Sequence, residues 1–381
     1  MSTNENDHFN KAAELYRDGH SDDAIKELKR AIDQDPGNVR AYLTLAALYE
    51  ALKEYDRAVD LYKKALQIDI DDPRANLRLG IVLTHLHRYA DALTPLRMAW
   101  SNDRRNPRAA NALARALDES GDYETAQIMY EEALKLDPDL ADARFNLGTL
   151  RFNAHKFESA ITQFMTYIVK VGDSSRAHRN IGKALAQLGQ LDSAIKSFNK
   201  ASHLDPTDAT IYYNLGLVYV LQDNYKAAFD NYRHAVNLDP NYLEARYTLA
   251  KALKNRGQTA EAITEFSIIL QQRPDYHRAL NGLANCYMSQ QNYDGAINLL
   301  RQAIALEPNF ALAHYNLGLA LRHKGYAEEA LHHFQEAVRI DPTDQLAYQA
   351  AGQTRSQRIE SQSNLISSNL SYRLTGAESA A

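Results

Sequence analysis

The side chains able to do chemistry here are amides and cations: Asn111, Arg115, Asn146, Arg179, Asn180, Lys183, Asn214 and Lys251. A carboxamide donates and accepts at once, which suits a peptide backbone whose own N–H and C=O groups need partners. Arginine and lysine suit carboxylates. Asn146, Asn180 and Asn214 recur at a spacing of 34 residues, so a regular scaffold must present them in line. Catalytic spacings are missing. Gly182-Lys183-Ala184 lacks the upstream glycine and the following Ser or Thr of a phosphate-cradling loop, and there is no H-E-x-x-H and no G-x-S-x-G. His332-His333 and His85-x-His87 are too close in sequence to share a helix face, so they are expected to be solvated surface histidines. One cysteine, Cys286, excludes an intramolecular disulfide and any cysteine-cluster metal site. No catalytic residue, no metal site and no cofactor is expected.

The scaffold is a repeat. Counting in steps of 34 from Ala24 through Ala58 to Ala330 meets alanine ten times out of ten, and no insertion breaks the register between Glu5 and Asp344. The eighth residue of every unit is Gly or Ala, as in Ala46, Gly80, Gly182 and Gly216. Four residues after each repeated alanine stands a large apolar residue, as in Leu28, Tyr62, Phe198 and Phe334. That spacing sets a hole beside a knob on one face of a second helix. Proline closes seven units in register, from Pro36 to Pro342, and Pro73 and Pro107 open two others.

These residues resemble the tetratricopeptide repeat (TPR) pattern of W-x2-L-G-x2-Y, then A-x3-F, then P. The stretch Tyr212 to Pro240 carries it most fully, with Leu215-Gly216, Tyr219, Ala228, Tyr232, Ala235 and Pro240. The place of the family's first tryptophan is held instead by residues such as His8, Asn76, Arg144, Arg246 and His314, a departure expected to matter little for stacking. The resemblance implies an all-α fold, a right-handed superhelical solenoid of about ten helix pairs with a C-terminal capping helix. Residues 5–344 are then ten tandem 34-residue units, 345–360 the capping helix, and 361–381 a disordered tail rich in Ser and Asn. Pro95 should kink or shorten its helix. Tyr167, where most units keep alanine, should push the neighbouring helix aside.

Composition agrees with an ordinary soluble chain, at 45% hydrophobic and 24% charged residues over 381. The start, MSTNENDHFN, is polar and acidic, which argues against a secretory signal, and no apolar run reaches membrane-spanning length. A cytoplasmic protein without membrane insertion is expected.

On the face that lines the concave side in the resembled family, eleven basic residues stand against four acidic ones in a chain of net charge −5. Such segregation attracts anionic ligands to the groove. In TPR proteins that grip C-terminal carboxylates, cations or amides at the fifth and ninth positions of one unit, asparagine at the sixth of the next, and cations in the third form a clamp. Asn111 and Arg115, then Asn146, then Arg179 and Lys183 match it, with Asn111 departing from the family's lysine. The first units are apolar instead: Phe9, Leu43, Leu77 and Ile81 should form an open groove for an amphipathic helix, from a partner or from a second copy. The function expected is a non-enzymatic scaffold or adaptor holding a partner protein's peptide or helix. The alternatives are single-stranded nucleic-acid binding, which interleaved basic and tyrosine residues permit but the net charge opposes, and a subunit presenting substrates to a separate enzyme.

Overall fold

The computed structural model describes residues 3–357, with side chains from His8 onward. Among these residues all regular structure is helical. Helices run in antiparallel pairs from α1 (Thr3–Arg17) and α2 (Ser21–Gln34) to α19 (Ala311–His323) and α20 (Ala327–Ile340), ten pairs in all among the described residues. Helix resumes at residue 345 and continues to 357, on the stretch expected to cap the stack. The remainder of that stretch, 358–360, and the tail expected at 361–381 lie outside the described residues. The chain divides into two compact units, one ending at Pro206 and one beginning at Thr207.

Local chemistry sets each boundary. Asn38, Asp72, Asn106 and Asp122 accept backbone N–H groups at the starts of α3 (Val39–Ala51), α5 (Pro73–His85), α7 (Pro107–Glu119) and α8 (Tyr123–Leu136). Proline follows the cap at Pro73 and Pro107, where its missing N–H costs nothing. At the other end, Asp137 is extended, as a residue preceding proline must be, and stops α8. α6 (Tyr89–Asn102) accommodates Pro95 without losing length: it has 14 residues, as does α8.

The turn inside each pair passes through a left-handed residue. Five are glycines: Gly19, Gly121, Gly189, Gly257 and Gly325. The other five are Lys53, His87, His155, Asp223 and Gln291, with φ between 57° and 61°. The N–H after that residue returns to the carbonyl five back, as in Glu54 to Tyr49 at 2.8 Å, which closes the helix.

Between the paired helices the knob enters the hole. An added Cβ on Gly80 would stand 2.3 Å from Leu96 Cγ, and on Gly216 2.5 Å from Tyr232 Cε1. Backbone and side chain already touch, so no larger residue fits. The repeated alanines from Ala24 to Ala330 are buried completely or nearly so, and so are the knobs from Leu28 to Phe334. Tyr167 is half-buried and meets Phe145 edge-on at 5.3 Å.

Because a side chain in the left-handed region costs about 1–2 kcal/mol, Gly189→Ala should destabilise the chain by roughly 1 kcal/mol. Gln291→Gly should stabilise it by a few tenths to about 1 kcal/mol, as relief of that strain outweighs the added freedom of the unfolded chain. Thermal unfolding of the two variants checks both signs; equal midpoints would remove the turn from the stability account.

Candidate functional site

In the first unit, the first helices of successive pairs touch: α5 meets α7, α7 meets α9 (Ala141–Asn153), and α9 meets α11 (Ser175–Gln187). Packed helices lie about 8–10 Å apart. Residues at equal repeat positions therefore form rows across this face. α7 supplies Asn111 and Arg115, α9 supplies Asn146, and α11 supplies Arg179, Asn180 and Lys183, all half-buried.

Five of these six side chains are uncommitted. Among the described residues, Asn111, Arg115, Asn146, Asn180 and Lys183 make no side-chain hydrogen bond and no ion pair. Asn111 Oδ1 is buried without a partner. That matters because a buried acceptor left unpaired costs about 1–3 kcal/mol and calls for an explanation. Beside it opens a cleft of about 320 Å³, lined by Ile81, Thr84, Arg108, Asn111, Ala112, Arg115, Leu140 and Asp142. A smaller hollow lies under Asn180 and Lys183, walled by Thr149, Phe152, Asn153 and Phe164.

The site's charges are tuned by burial and by each other. Burial, then the Arg179 charge, holds the Lys183 ammonium below the usual lysine range, and its Nζ stands 5.0 Å from the centre of the Phe152 ring. Arg176 lies 4.0 Å over Phe145 in the same way. Asp118, one turn beyond Arg115, is pushed up to about 6 by burial and by Glu119, while the hydrogen bond from Tyr130 opposes the shift.

The remaining expected residues sit differently. Asn214, in the second unit, donates from Nδ2 to the Thr210 carbonyl at 2.6 Å, so half of its amide is spent. Lys251 is exposed and lies 5.6 Å from the Tyr247 ring centre. Among the apolar residues, Phe9 corrects the expectation of an open surface: it is only 8% exposed and Arg40 covers its ring at 4.7 Å. Leu43 and Leu77 are half-buried against the core, and Ile81 walls the larger cleft.

Two features escaped the sequence reading. The polar residues in the tryptophan place tie the turn between units. Asn76 donates to the Ile70 carbonyl at 2.9 Å, Arg144 to Pro138 at 2.6 Å, Arg246 to Pro240 at 2.9 Å, and His314 Nε2 lies 3.1 Å from the Pro308 carbonyl. The constant six-residue offset was a signal in the sequence. The second is His333, which is half-buried rather than solvated. Its Nδ1 stands 3.0 Å from His314 Nδ1, and burial with the neighbouring His314 lowers it to about 4.

Four family profiles match the chain. "TPR repeat" covers residues 182–223 and 284–325, and three profiles described as "Tetratricopeptide repeat" cover 9–73 and 111–177, 51–116 and 219–286, and 311–344. The chain belongs to the tetratricopeptide repeat family. Among curated relatives, Superkiller protein 3 of Schizosaccharomyces pombe is 34% identical over 106 residues, which is 26% of this chain and 8% of that one. The chain therefore spans a small part of that relative's length. Among solved structures, the Cut9–Hcn1 hetero-tetramer of the APC/C aligns over 92% of this chain and 90% of its own at 16% identity, with a TM-score of 0.51. PilW, a type IV pilus biogenesis factor, aligns over 54% of this chain and 96% of its own at 22% identity, with a TM-score of 0.50. At these identities the two likenesses show the helical-repeat fold alone; the scaffold role for protein–protein interaction rests on the TPR family. No helix among the described residues is long and apolar enough to cross a membrane.

The histidine pair should make stability depend on acidity. Held neutral in the fold and ordinary when unfolded, His333 lets the unfolded chain take up the proton first, so stability falls from about pH 6.5 to about pH 4. Chemical denaturation across that window should show a shallower loss for His333→Gln than for the native chain. Parallel slopes would show that the pair is not titrating.

Proposed function

We propose that this TPR chain is a non-enzymatic cytoplasmic adaptor whose fourth to sixth repeats hold the acidic C-terminus of a partner protein in extended form. The observation that carries this is the uncommitted row of Asn111, Arg115, Asn146, Asn180 and Lys183 on three consecutive first helices. A fold satisfies nearly all of its buried polar groups, and those left over mark where something else is meant to bond. Arg115 and Lys183, with Arg179 beside them, suit the carboxylates, and the asparagines suit the peptide backbone.

Extended peptide advances about 3.3 Å per residue, so helices spaced about 8–10 Å apart meet it near every third residue. Asn146 and Asn180 occupy the same place on adjacent helices and supply two such rungs. Arg115 and Lys183, one turn further along their helices, then fall beside the peptide where side-chain or terminal carboxylates lie.

Fluorescence polarisation with acidic peptides ending in a free carboxylate tests the reading. Hydrogen bonds to charged groups contribute about 1.5–3 kcal/mol each, so the double substitution of Arg179 and Lys183 by Ala should weaken binding at least about tenfold. Arg40→Ala, which lies over Phe9, is the basic control and should leave affinity unchanged. Amidation of the peptide's end should match the double substitution. Unchanged affinity on amidation would falsify the terminal grip.

The same peptides should bind more tightly as pH falls from about 7.5 to about 5.5. Asp118 loses its charge as pH falls through about 6, while peptide carboxylates, with ordinary values near 4, keep theirs. Asp118→Asn should bind more tightly at neutral pH and flatten the profile. A profile with equal slope in the variant assigns the pH effect to another group.

A further inference from the structure

The second unit begins with a helix unlike its counterparts. α13 (Ala209–Leu221) reads ATIYYNLGLVYVL and is apolar on every side. A helix of that kind is ordinarily enclosed by protein. This one is not. Leu217 is 39% exposed, Val220 38% and Leu221 62%.

These three sit at i, i+3 and i+4, and so form one ridge on α13. At the position of Leu221 the other units carry Arg17, Ala51, His85, Glu119, Asn153, Gln187, Asn255, Ser289 and His323, which are polar except for one alanine. The knob and the hole of this unit, Tyr232 and Gly216, are filled by each other. Stacking therefore does not ask for the ridge. An exposed apolar cluster without a packing role marks an interaction surface.

Its neighbours say which partner. One repeat on, α15 (Leu243–Asn255) carries Lys251 and Lys254 where α13 has Leu217 and Val220. Neither lysine makes an ion pair among the described residues. Lys251 rests over the Tyr247 ring, 5.6 Å from its centre, which holds the ammonium beside the groove face. An apolar ridge followed, at the equivalent positions of the next repeat, by two unpaired cations complements a helix with one apolar face and one acidic face.

We propose that Leu217, Val220 and Leu221, with Lys251 and Lys254, form a second docking surface that takes an acidic amphipathic helix from a partner protein. The surface lies wholly in the second unit. It shares no residue with the row of the first unit proposed to bind carboxylates, and does not depend on it.

The probe is a fluorescein-labelled helix of about five turns, roughly 18 residues, with leucines on one face and glutamates on the other; its twin carries lysine for every glutamate. The full chain should bind the glutamate helix at least about tenfold more tightly than the twin, since opposite charges favour one and like charges oppose the other. Leu217→Asp combined with Leu221→Asp should weaken binding of the glutamate helix about tenfold or more, with helicity by circular dichroism unchanged because both residues are exposed. Lys251→Glu with Lys254→Glu should reverse the preference between the two helices. The pair Arg179→Ala and Lys183→Ala should leave helix binding intact, so failure of the first-unit site and failure of this one are told apart. Absent binding by the native chain, unchanged binding by the leucine variant, or a native dimer in sedimentation that the leucine variant splits would each overturn the proposal, the last by assigning the ridge to a second copy.

Discussion

Everything in this chain rests on one contact, repeated: a large side chain on the second helix of each pair driven against a residue too small to resist it. Where that residue is glycine the fit leaves no room for a methyl group, since a Cβ on Gly318 would stand 2.6 Å from Phe334 Cε1. Close packing of this sort gains many weak dispersion contacts and tolerates little change of volume. The alanine four residues before each knob keeps the next helix equally near, which is why no unit has replaced it. A period of 34 follows from the contact, because each pair must present the same hole to the same knob before the next pair can stack.

The contact consumes one stripe of each helix and releases the others. The first helices can therefore hold arginine, asparagine, phenylalanine or leucine on their inner face without disturbing the stack. Some of that freedom serves structure: Asn316 donates to Asn281 at 2.8 Å between the tenth and ninth repeats, although by position it resembles Asn146 and Asn180. Some of it serves charge pairing. In the first repeat Lys11 stands where leucine is usual, and it joins His8 and Arg30 around the buried Glu27, which these neighbours hold at about 2. In that place a paired charge cluster around one carboxylate takes the role that an apolar contact has in the other repeats.

The parts of the fold legible in sequence are those the contact dictates. Alanine, glycine, knob and proline recur because sterics permits little else, so helix pairs, their order and their boundaries follow from spacing. Residues outside the contact carry no such signature. Phe9 looked like an open groove residue because its position faces inward; only the structure brings Arg40 from the next unit across its ring. His333 looked solvated because its sequence neighbour His332 lies on a different helix face, yet His314, nineteen residues away, closes over it. The left-handed residues at Lys53, His155 and Gln291 are hidden for the opposite reason, since the turn imposes the conformation and does not select glycine strongly.

Water treats the two proposed surfaces differently. Polar side chains in a groove that is half open to water are solvated until a ligand arrives, so the amide and cation row of the first unit can stay unpaired at modest cost, the buried Asn111 Oδ1 excepted. The apolar ridge of α13 has no such refuge, because water rewards no part of Leu217 or Leu221. A polar row therefore gains specificity from a ligand, through geometry of donors and acceptors, whereas the ridge gains burial. Binding at the ridge should accordingly carry the negative heat-capacity change of apolar burial, and binding at the row should be marked instead by its sensitivity to salt. One repeated packing rule thus leaves room for two kinds of recognition, and which kind a given helix offers is decided by the few inward positions that stacking does not use.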